Sequence, residues 1–224
     1  MLIWPFILLA AGAYLLGSVP AAYIAARLAT GKDIRKEGSG NVGASNVARS
    51  ASKKLAIPVF LFDIAKGYVV VWLAGVCGLD LFFQILVGVI AIAGHNWPIF
   101  LKFNGGRGIA TSLGVVLAVS PWLGLIAMVA AYGLAPFKQL AVGVLIALIS
   151  LPVLSWFFPS PLGIEDKSGA VYGFLVLLAL AFLRRLAQRR VEISRDTPAA
   201  ELFFNRLVFD RDIRSREDWL NRKV

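Results

Sequence analysis

The chain has 224 residues, of which 58% are hydrophobic and 16% charged, with a formal net charge of +10. A soluble domain carries about 25% charged residues, whereas here the apolar residues come in blocks long enough to cross a hydrocarbon core of about 30 Å, which takes roughly 20 residues. An ordinary soluble domain is excluded, and the basic excess reads as the Lys/Arg surplus of cytoplasmic loops rather than as a nucleic-acid surface.

The predicted spans, in chain order, are Ile3–Ala26, Leu55–Val76, Leu81–Phe100, a segment within Ile109–Ala135, Leu140–Phe158 and Val171–Leu186. The first is too long for a signal-peptide h-region and reads as a retained span. The fourth is either one long span or two short ones broken at Ser120-Pro121, because Pro lacks an N–H and disfavours helix at the residue before it. Charge placement decides between them. Lys and Arg cluster at 27–54, at Lys102 and Arg107, at Lys138 and from Arg184 onward, while 77–80 and 119–122 carry none. Two short helices give seven crossings and put every Lys and Arg except Lys66 and Lys167 on the cytoplasmic side. The expected fold is an all-α polytopic membrane bundle of seven transmembrane helices, two of them short, with the N-terminus outside and the C-terminus cytoplasmic.

Residues 1–190 are expected to form the transmembrane domain. Residues 191–224, with seven basic and seven acidic side chains, form a charged cytoplasmic tail. Thr197-Pro198 resembles an N-cap followed by Pro at the first helical position. The tail therefore reads as an interfacial or self-packing helix, with a disordered tail as the alternative.

Cys77 and His95 are the only cysteine and histidine. That excludes an internal disulfide framework and most metal sites, and no metal or cofactor is expected. Two Gly-rich runs interrupt the apolar blocks. In 38-GSGNVGASN-46, Gly40 and Gly43 let the backbone turn and approach a ligand. Ser39, Asn41, Ser45 and Asn46 add hydrogen-bonding groups, and Arg49 adds a forked cation. In 102-KFNGGRGIAT-111, Asn104, Gly105, Gly106 and Gly108 surround Arg107, with a helix starting near Ile109 whose N-terminal N–H groups favour an anion. One such run is more often only a turn. Two on one membrane face point to a phosphorylated ligand at the cytoplasmic surface. His95 is a candidate base, though a lone His is more often structural. Asp63 and Lys66, at i and i+3, share a helix face as an ion pair.

The runs 39-SGNVGASN-46 with Arg49, 63-DIAKG-67 and 94-GHNWPIFLKFNGGRGIAT-111 resemble the acyl-phosphate:glycerol-3-phosphate acyltransferase family of bacterial membranes. The resemblance implies a seven-helix bundle in the inner or plasma membrane with its active site facing the cytoplasm. It implies transfer of an acyl group from acyl phosphate to the sn-1 hydroxyl of glycerol 3-phosphate, giving lysophosphatidic acid and phosphate. The partners would be those two substrates and membrane lipid, with no nucleic acid and no cofactor. Ser39, Arg49, Arg107 and His95 would carry catalysis. Ser39 and Arg49 would bind phosphate, Gly40, Asn41, Gly43 and Asn46 would shape the first loop, and Gly105, Gly106 and Arg107 would hold a phosphate in the second. The family is thought to need no protein base, the substrate phosphate assisting deprotonation of its own hydroxyl.

Three departures from the family stand out. Asn104 and Arg107 occupy places where the family usually has Lys. The stretch 136-PFKQLAVGV-144 lacks the family's serines, leaving Lys138 or Gln139 as replacement donors. The family's His and Asn on its last span fall at Arg185 and Gln188, within 184-RRLAQRR-190. These departures leave a non-catalytic relative that binds a phosphorylated lipid or metabolite as the alternative.

Overall fold

The computed structural model describes residues 3–188 and 190–221, and every regular element among them is helical. Helices α1 (Ile3–Ser18) and α2 (Ala21–Thr30) are followed by a short α3 (Ala44–Ser50). The long α4 (Lys53–Val76) and α5 (Leu81–Asn96) come next. Then come a pair of short helices, α6 (Ile109–Val119) and α7 (Pro121–Gly133), and two further long ones, α8 (Leu140–Phe157) and α9 (Lys167–Leu186). Beyond them lie α10 (Ala199–Phe209) and α11 (Arg216–Asn221).

Five runs are long and apolar enough to cross a membrane: Ile3–Thr30, Lys53–Val76, Leu81–Leu101, Leu140–Phe157 and Lys167–Leu186. The break expected at Ser120-Pro121 is present. Pro121 opens α7, and the Ser120 hydroxyl caps it by accepting from the Leu123 N–H at 3.1 Å. The same hydroxyl donates to the Leu162 carbonyl at 2.6 Å, fastening the turn to the α8–α9 connection at one end of the bundle. With a rise of about 1.5 Å per residue, α6 and α7 each fall short of a 30 Å core.

The N-terminal span departs from expectation. Instead of one helix over Ile3–Ala26, α1 stops at Ser18 and α2 restarts at Ala21. Pro20 supplies no N–H, and its ring keeps Val19 out of the helical region. The Ala21 N–H turns to the Val19 carbonyl, which leaves the Gly17 carbonyl without its intrahelical donor. The third span runs to Leu101 much as expected, but its α-helix ends at Asn96 and the chain passes through Trp97-Pro98 into a 3₁₀ turn, Ile99–Leu101.

The core sits between α1, α4, α5, α6, α7, α8 and α9, around Ile85, Val87, Val115, Leu123, Leu151 and Phe174. Helices α4 and α6 pack backbone to backbone. A Cβ on Gly114 would collide with the Ile64 carbonyl oxygen, and one on Gly67 would collide with the Thr111 carbonyl oxygen. Large side chains such as Trp4, Leu8, Trp72, Trp122 and Val129 point outward and are exposed. In water that surface would aggregate, whereas in hydrocarbon it is the expected lipid-facing side.

Candidate active site

All the polar machinery gathers at the end of the bundle opposite Ser120. The first loop begins where α2 stops at Gly31. Asp33 accepts from the Arg35 N–H at 3.0 Å and pairs with its guanidinium at 2.7 Å, and that hydrogen-bonded partner holds the Asp33 carboxyl below the usual carboxylate range. Asn46 organises the rest of the loop. Its carboxamide, 1% exposed, accepts from the Ser39 N–H (3.1 Å) and the Ser50 hydroxyl (3.3 Å). It donates to the carbonyls of Ile34 (3.1 Å), Glu37 (3.0 Å) and Asn41 (3.0 Å). One buried side chain thus satisfies five backbone and hydroxyl groups, in keeping with the rule that buried polar groups find partners. The Asn41 N–H reaches the Ser39 Oγ at 3.4 Å, and Gly40 donates to the Glu37 carbonyl. The Gly43 carbonyl receives the N–H groups of Asn46 and Val47 at the start of α3.

The second loop is built against a buried charge network. The Lys66 ammonium reaches Asp63 Oδ1 at 2.8 Å, His95 Nδ1 at 2.9 Å and the freed Gly17 carbonyl at 3.0 Å. Nδ1 also lies 3.5 Å from Asp63 Oδ1, so the inner edge of the ring is held by both members of the pair. The outer nitrogen, Nε2, faces the second loop so closely that a Cβ on Gly106 would collide with it. The Gly106 N–H donates to the His95 carbonyl at 3.0 Å. Across the loop, Arg184 donates through Nε to the Gly106 carbonyl (2.8 Å) and through Nη2 to the Gly105 carbonyl (3.3 Å). Gly108, with φ +70°, turns the chain into α6. Asn104 is exposed, and its N–H bonds to the Leu101 carbonyl.

Arg107 leaves this loop and meets the C-terminal segment. Its Nε pairs with Asp210 Oδ2 at 2.9 Å and its Nη2 donates to the Asp210 carbonyl at 3.0 Å. Gln188 donates to the other oxygen, Asp210 Oδ1, at 2.7 Å. Arg185, 5% exposed, donates to the carbonyls of Leu207 and Val208 at the end of α10 and to the Ala141 carbonyl of α8 at 2.9 Å. The two residues expected to rebuild the last-span half of the site therefore hold the C-terminal segment. Arg184, one position earlier, is the residue that grips the second loop.

Residues 191–221 are folded onto the bundle. Asp212, 0% exposed, accepts from Arg206 Nε (2.7 Å) and the Ser194 hydroxyl (2.8 Å). Arg206 also donates to the Leu186 carbonyl at 2.9 Å, tying α10 to α9. Helix α10 begins at Ala199, one residue later than a Thr197 cap places it.

Three hollows meet at Arg107. A polar cavity of about 230 Å³ is lined by Ser39, Ser45, Arg49, Lys138, Arg211 and Arg216 among others. An apolar groove runs between α6, α7, α8 and α9 past Leu113, Val116, Met128, Leu148 and Leu151, and its mouth carries Arg107, Arg184, Arg185 and Asp210. A second, largely apolar groove passes Asn41, Gly43, Phe60 and His95 on its way to Arg107. Of the five guanidinium N–H groups on Arg107, two are engaged by Asp210 and three have no partner among the described residues. The structure thus brings Ser39, Arg49, Arg107 and Lys138 around one cavity, with His95 on an adjoining groove.

The residue types in the two loops signal this site, but three of its members give no usable signal. The link between His95 and the Asp63–Lys66 pair spans 29 positions, Arg184 sits beside the Arg that the spacing favours, and Asp210 acts across 103 positions. Arg184 and Asp210 have no periodic or motif signature, and His95 and the Asp63–Lys66 pair stand in separate runs with nothing in either to show that they meet.

The chain is similar to known proteins over most of its length. The family model described as glycerol-3-phosphate acyltransferase matches residues 7–195. Glycerol-3-phosphate acyltransferase 4 of Dehalococcoides mccartyi (strain CBDB1) is 48% identical over 219 residues, covering 98% of this chain and 94% of that protein. Two crystal structures of PlsY, an integral membrane glycerol 3-phosphate acyltransferase, are similar in fold. The glycerol 3-phosphate form matches with a TM-score of 0.71 at 34% identity, covering 81% of this chain and 88% of that one. The lysophosphatidic acid form matches with a TM-score of 0.67 at 32% identity, with the same coverage.

Proposed function

The chain belongs to the glycerol-3-phosphate acyltransferase family, and from that premise we propose that its loop-end cavity takes glycerol 3-phosphate while an acyl phosphate lies along an apolar groove. It is a membrane enzyme that acylates glycerol 3-phosphate for phospholipid synthesis. In the proposed reaction the sn-1 hydroxyl oxygen attacks the acyl carbonyl carbon. An ester C–O bond forms, the bond from the acyl carbon to the phosphate oxygen breaks, and the hydroxyl proton leaves on the released phosphate. The products are lysophosphatidic acid and inorganic phosphate.

The observation that carries this reading is the meeting of a cationic cavity and an apolar groove at a single guanidinium, Arg107. A phosphate in the cavity and an acyl chain in the groove would bring hydroxyl and acyl carbon together there. Ser39 and Arg49 bind the glycerol 3-phosphate phosphate. Arg107, with three N–H groups to spare, stabilises the charge that develops on the acyl phosphate. Catalysis of this kind is positioning plus preorganised donors. His95, with its inner nitrogen held by Asp63 and Lys66 and Nε2 against Gly106, is a positioning residue for the second loop. Asn46 acts only through the loop that it holds.

The same reading sets the topology. Helices α6 and α7 form a short membrane-inserted pair, giving seven crossings with the N-terminus outside and the loop end in the cytoplasm of a bacterial inner or plasma membrane. Residues 1–190 are the transmembrane domain and 191–224 the cytoplasmic segment, whose described residues, 191–221, pack on it. The Lys/Arg asymmetry supports this orientation.

The donor is tested by giving the purified chain, in lipid, labelled glycerol 3-phosphate with either an acyl phosphate or an acyl thioester. Acyl phosphate is expected to support lysophosphatidic acid formation with one phosphate released per turnover. Turnover with the thioester alone would contradict it.

A further inference from the structure

The cavity at the loop end has two walls. The bundle supplies Ser39, Ser45, Arg49, Arg107 and Lys138, and the C-terminal segment supplies Arg211, Arg216 and Trp219. Five cations therefore line one hollow. Asp210 is the one carboxylate lining it among the described residues, and Arg107 and Gln188 already engage its two oxygens. Arg211 turns its Nε to the Ile213 carbonyl and its Nη2 to the Arg214 carbonyl, which shapes the turn leading into α11. Arg49 and Arg216 make no ion pair or hydrogen bond among the described residues.

Five like charges gathered around a single counter-charge raise the energy of the fold. The physical trace is visible on two of them: burial and the neighbouring Arg216 guanidinium push Arg49 below its usual value, and burial with Arg216 and Arg107 does the same to Arg211. The segment is nonetheless braced internally by Asp212 with Arg206 and Ser194, and fixed to the bundle by Asp210 with Arg107, by Arg206 on the Leu186 carbonyl and by Arg185 on the end of α10. A surface repelled by electrostatics but fixed by buried hydrogen bonds is suited to an anion that arrives from solution. Its size and sign fit a phosphate monoester dianion, and the forked guanidinium suits paired phosphate oxygens.

We propose that the C-terminal segment completes the substrate site, with Arg216 binding the phosphate of glycerol 3-phosphate opposite Arg49. This rests on the reading that the cavity holds glycerol 3-phosphate. Arg216 lies beyond residue 195, where the family match ends, so the segment adds a ligand that the shared region lacks. Arg211 positions that ligand through its grip on the turn.

The test is steady-state kinetics of the full chain in lipid with Arg216→Ala and Arg216→Lys. Loss of a charge-assisted hydrogen bond predicts a rise in the KM for glycerol 3-phosphate on the order of tenfold or more. The kcat and the KM for acyl phosphate should stay within about twofold, and Arg216→Lys should recover most of the loss. An unchanged KM for glycerol 3-phosphate, or a rise confined to acyl phosphate, would overturn the assignment. Calorimetric titration with inorganic phosphate gives a readout independent of turnover. Phosphate affinity should fall in Arg216→Ala, and equal affinity in the two proteins would also overturn it. Failure of the wild-type chain to convert glycerol 3-phosphate would instead refute the underlying reading, and the phosphate titration would still decide whether Arg216 binds an anion.

Discussion

At the scale of single residues, Arg107 offers the sharpest test. It stands at the junction of the cavity and the apolar groove, and Asp210 fixes one edge of its guanidinium while the other edge stays available. Removing a preorganised donor aimed at developing charge costs about 2.7–4 kcal/mol, or on the order of 10²–10³ in rate. Arg107→Ala is expected to show that loss in initial rates of lysophosphatidic acid formation. Arg107→Lys keeps the charge but not the fork that spans Asp210 and ligand, so an intermediate rate is expected. Single residues are also where the sequence is least informative. Both loops are visible as polar, Gly-rich interruptions, because composition is local. The partners of His95 and Arg107 are not, because a side-chain hydrogen bond between distant helices leaves no pattern in either one.

The elements are more legible, and for a physical reason. A lipid-facing helix must be apolar along its whole length, so α4, α5, α8 and α9 announce themselves as blocks. Ser120-Pro121 is readable as a break because charge placement requires one there. Val19-Pro20 carries the same local signal, yet no charge flanks it and the apolar run continues across it, so the interruption between α1 and α2 goes unseen. That interruption frees the Gly17 carbonyl for Lys66 and so helps seat the network under the second loop. The contact of α6 with α4 sets where that loop ends, since Gly108 leads directly into α6. Gly114→Val would force the two helices apart at the Ile64 carbonyl. Overpacking of this sort costs about 1–3 kcal/mol. The variant is expected to unfold at lower temperature than wild type in the same detergent and to lose activity in parallel. An unchanged midpoint would show that the helices have room to separate.

On the scale of the whole molecule, the chain divides its chemistry by depth. One end joins its helices through short turns whose charges are limited to Asp80, Glu165, Asp166 and Lys167, and the other gathers the two Gly-rich loops, Lys138 and the folded C-terminal segment around Arg107. The composition of residues 191–224 shows only a balance of charges, which describes a disordered tail as well as a docked one. Docking depends on Asp210 meeting Arg107 and Gln188 and on Arg206 meeting the Leu186 carbonyl, and that is a property of the assembled bundle. Binding of glycerol 3-phosphate at this end of the bundle, and its acylation there, can be measured in one assay. The purified full chain is given labelled glycerol 3-phosphate and saturating acyl phosphate, and lysophosphatidic acid is followed beside Ser39→Ala. Steady product formation by the wild type and a loss of on the order of 10²-fold or more in the variant are predicted. No product from folded wild-type protein, or an equal rate in Ser39→Ala, would refute the assignment.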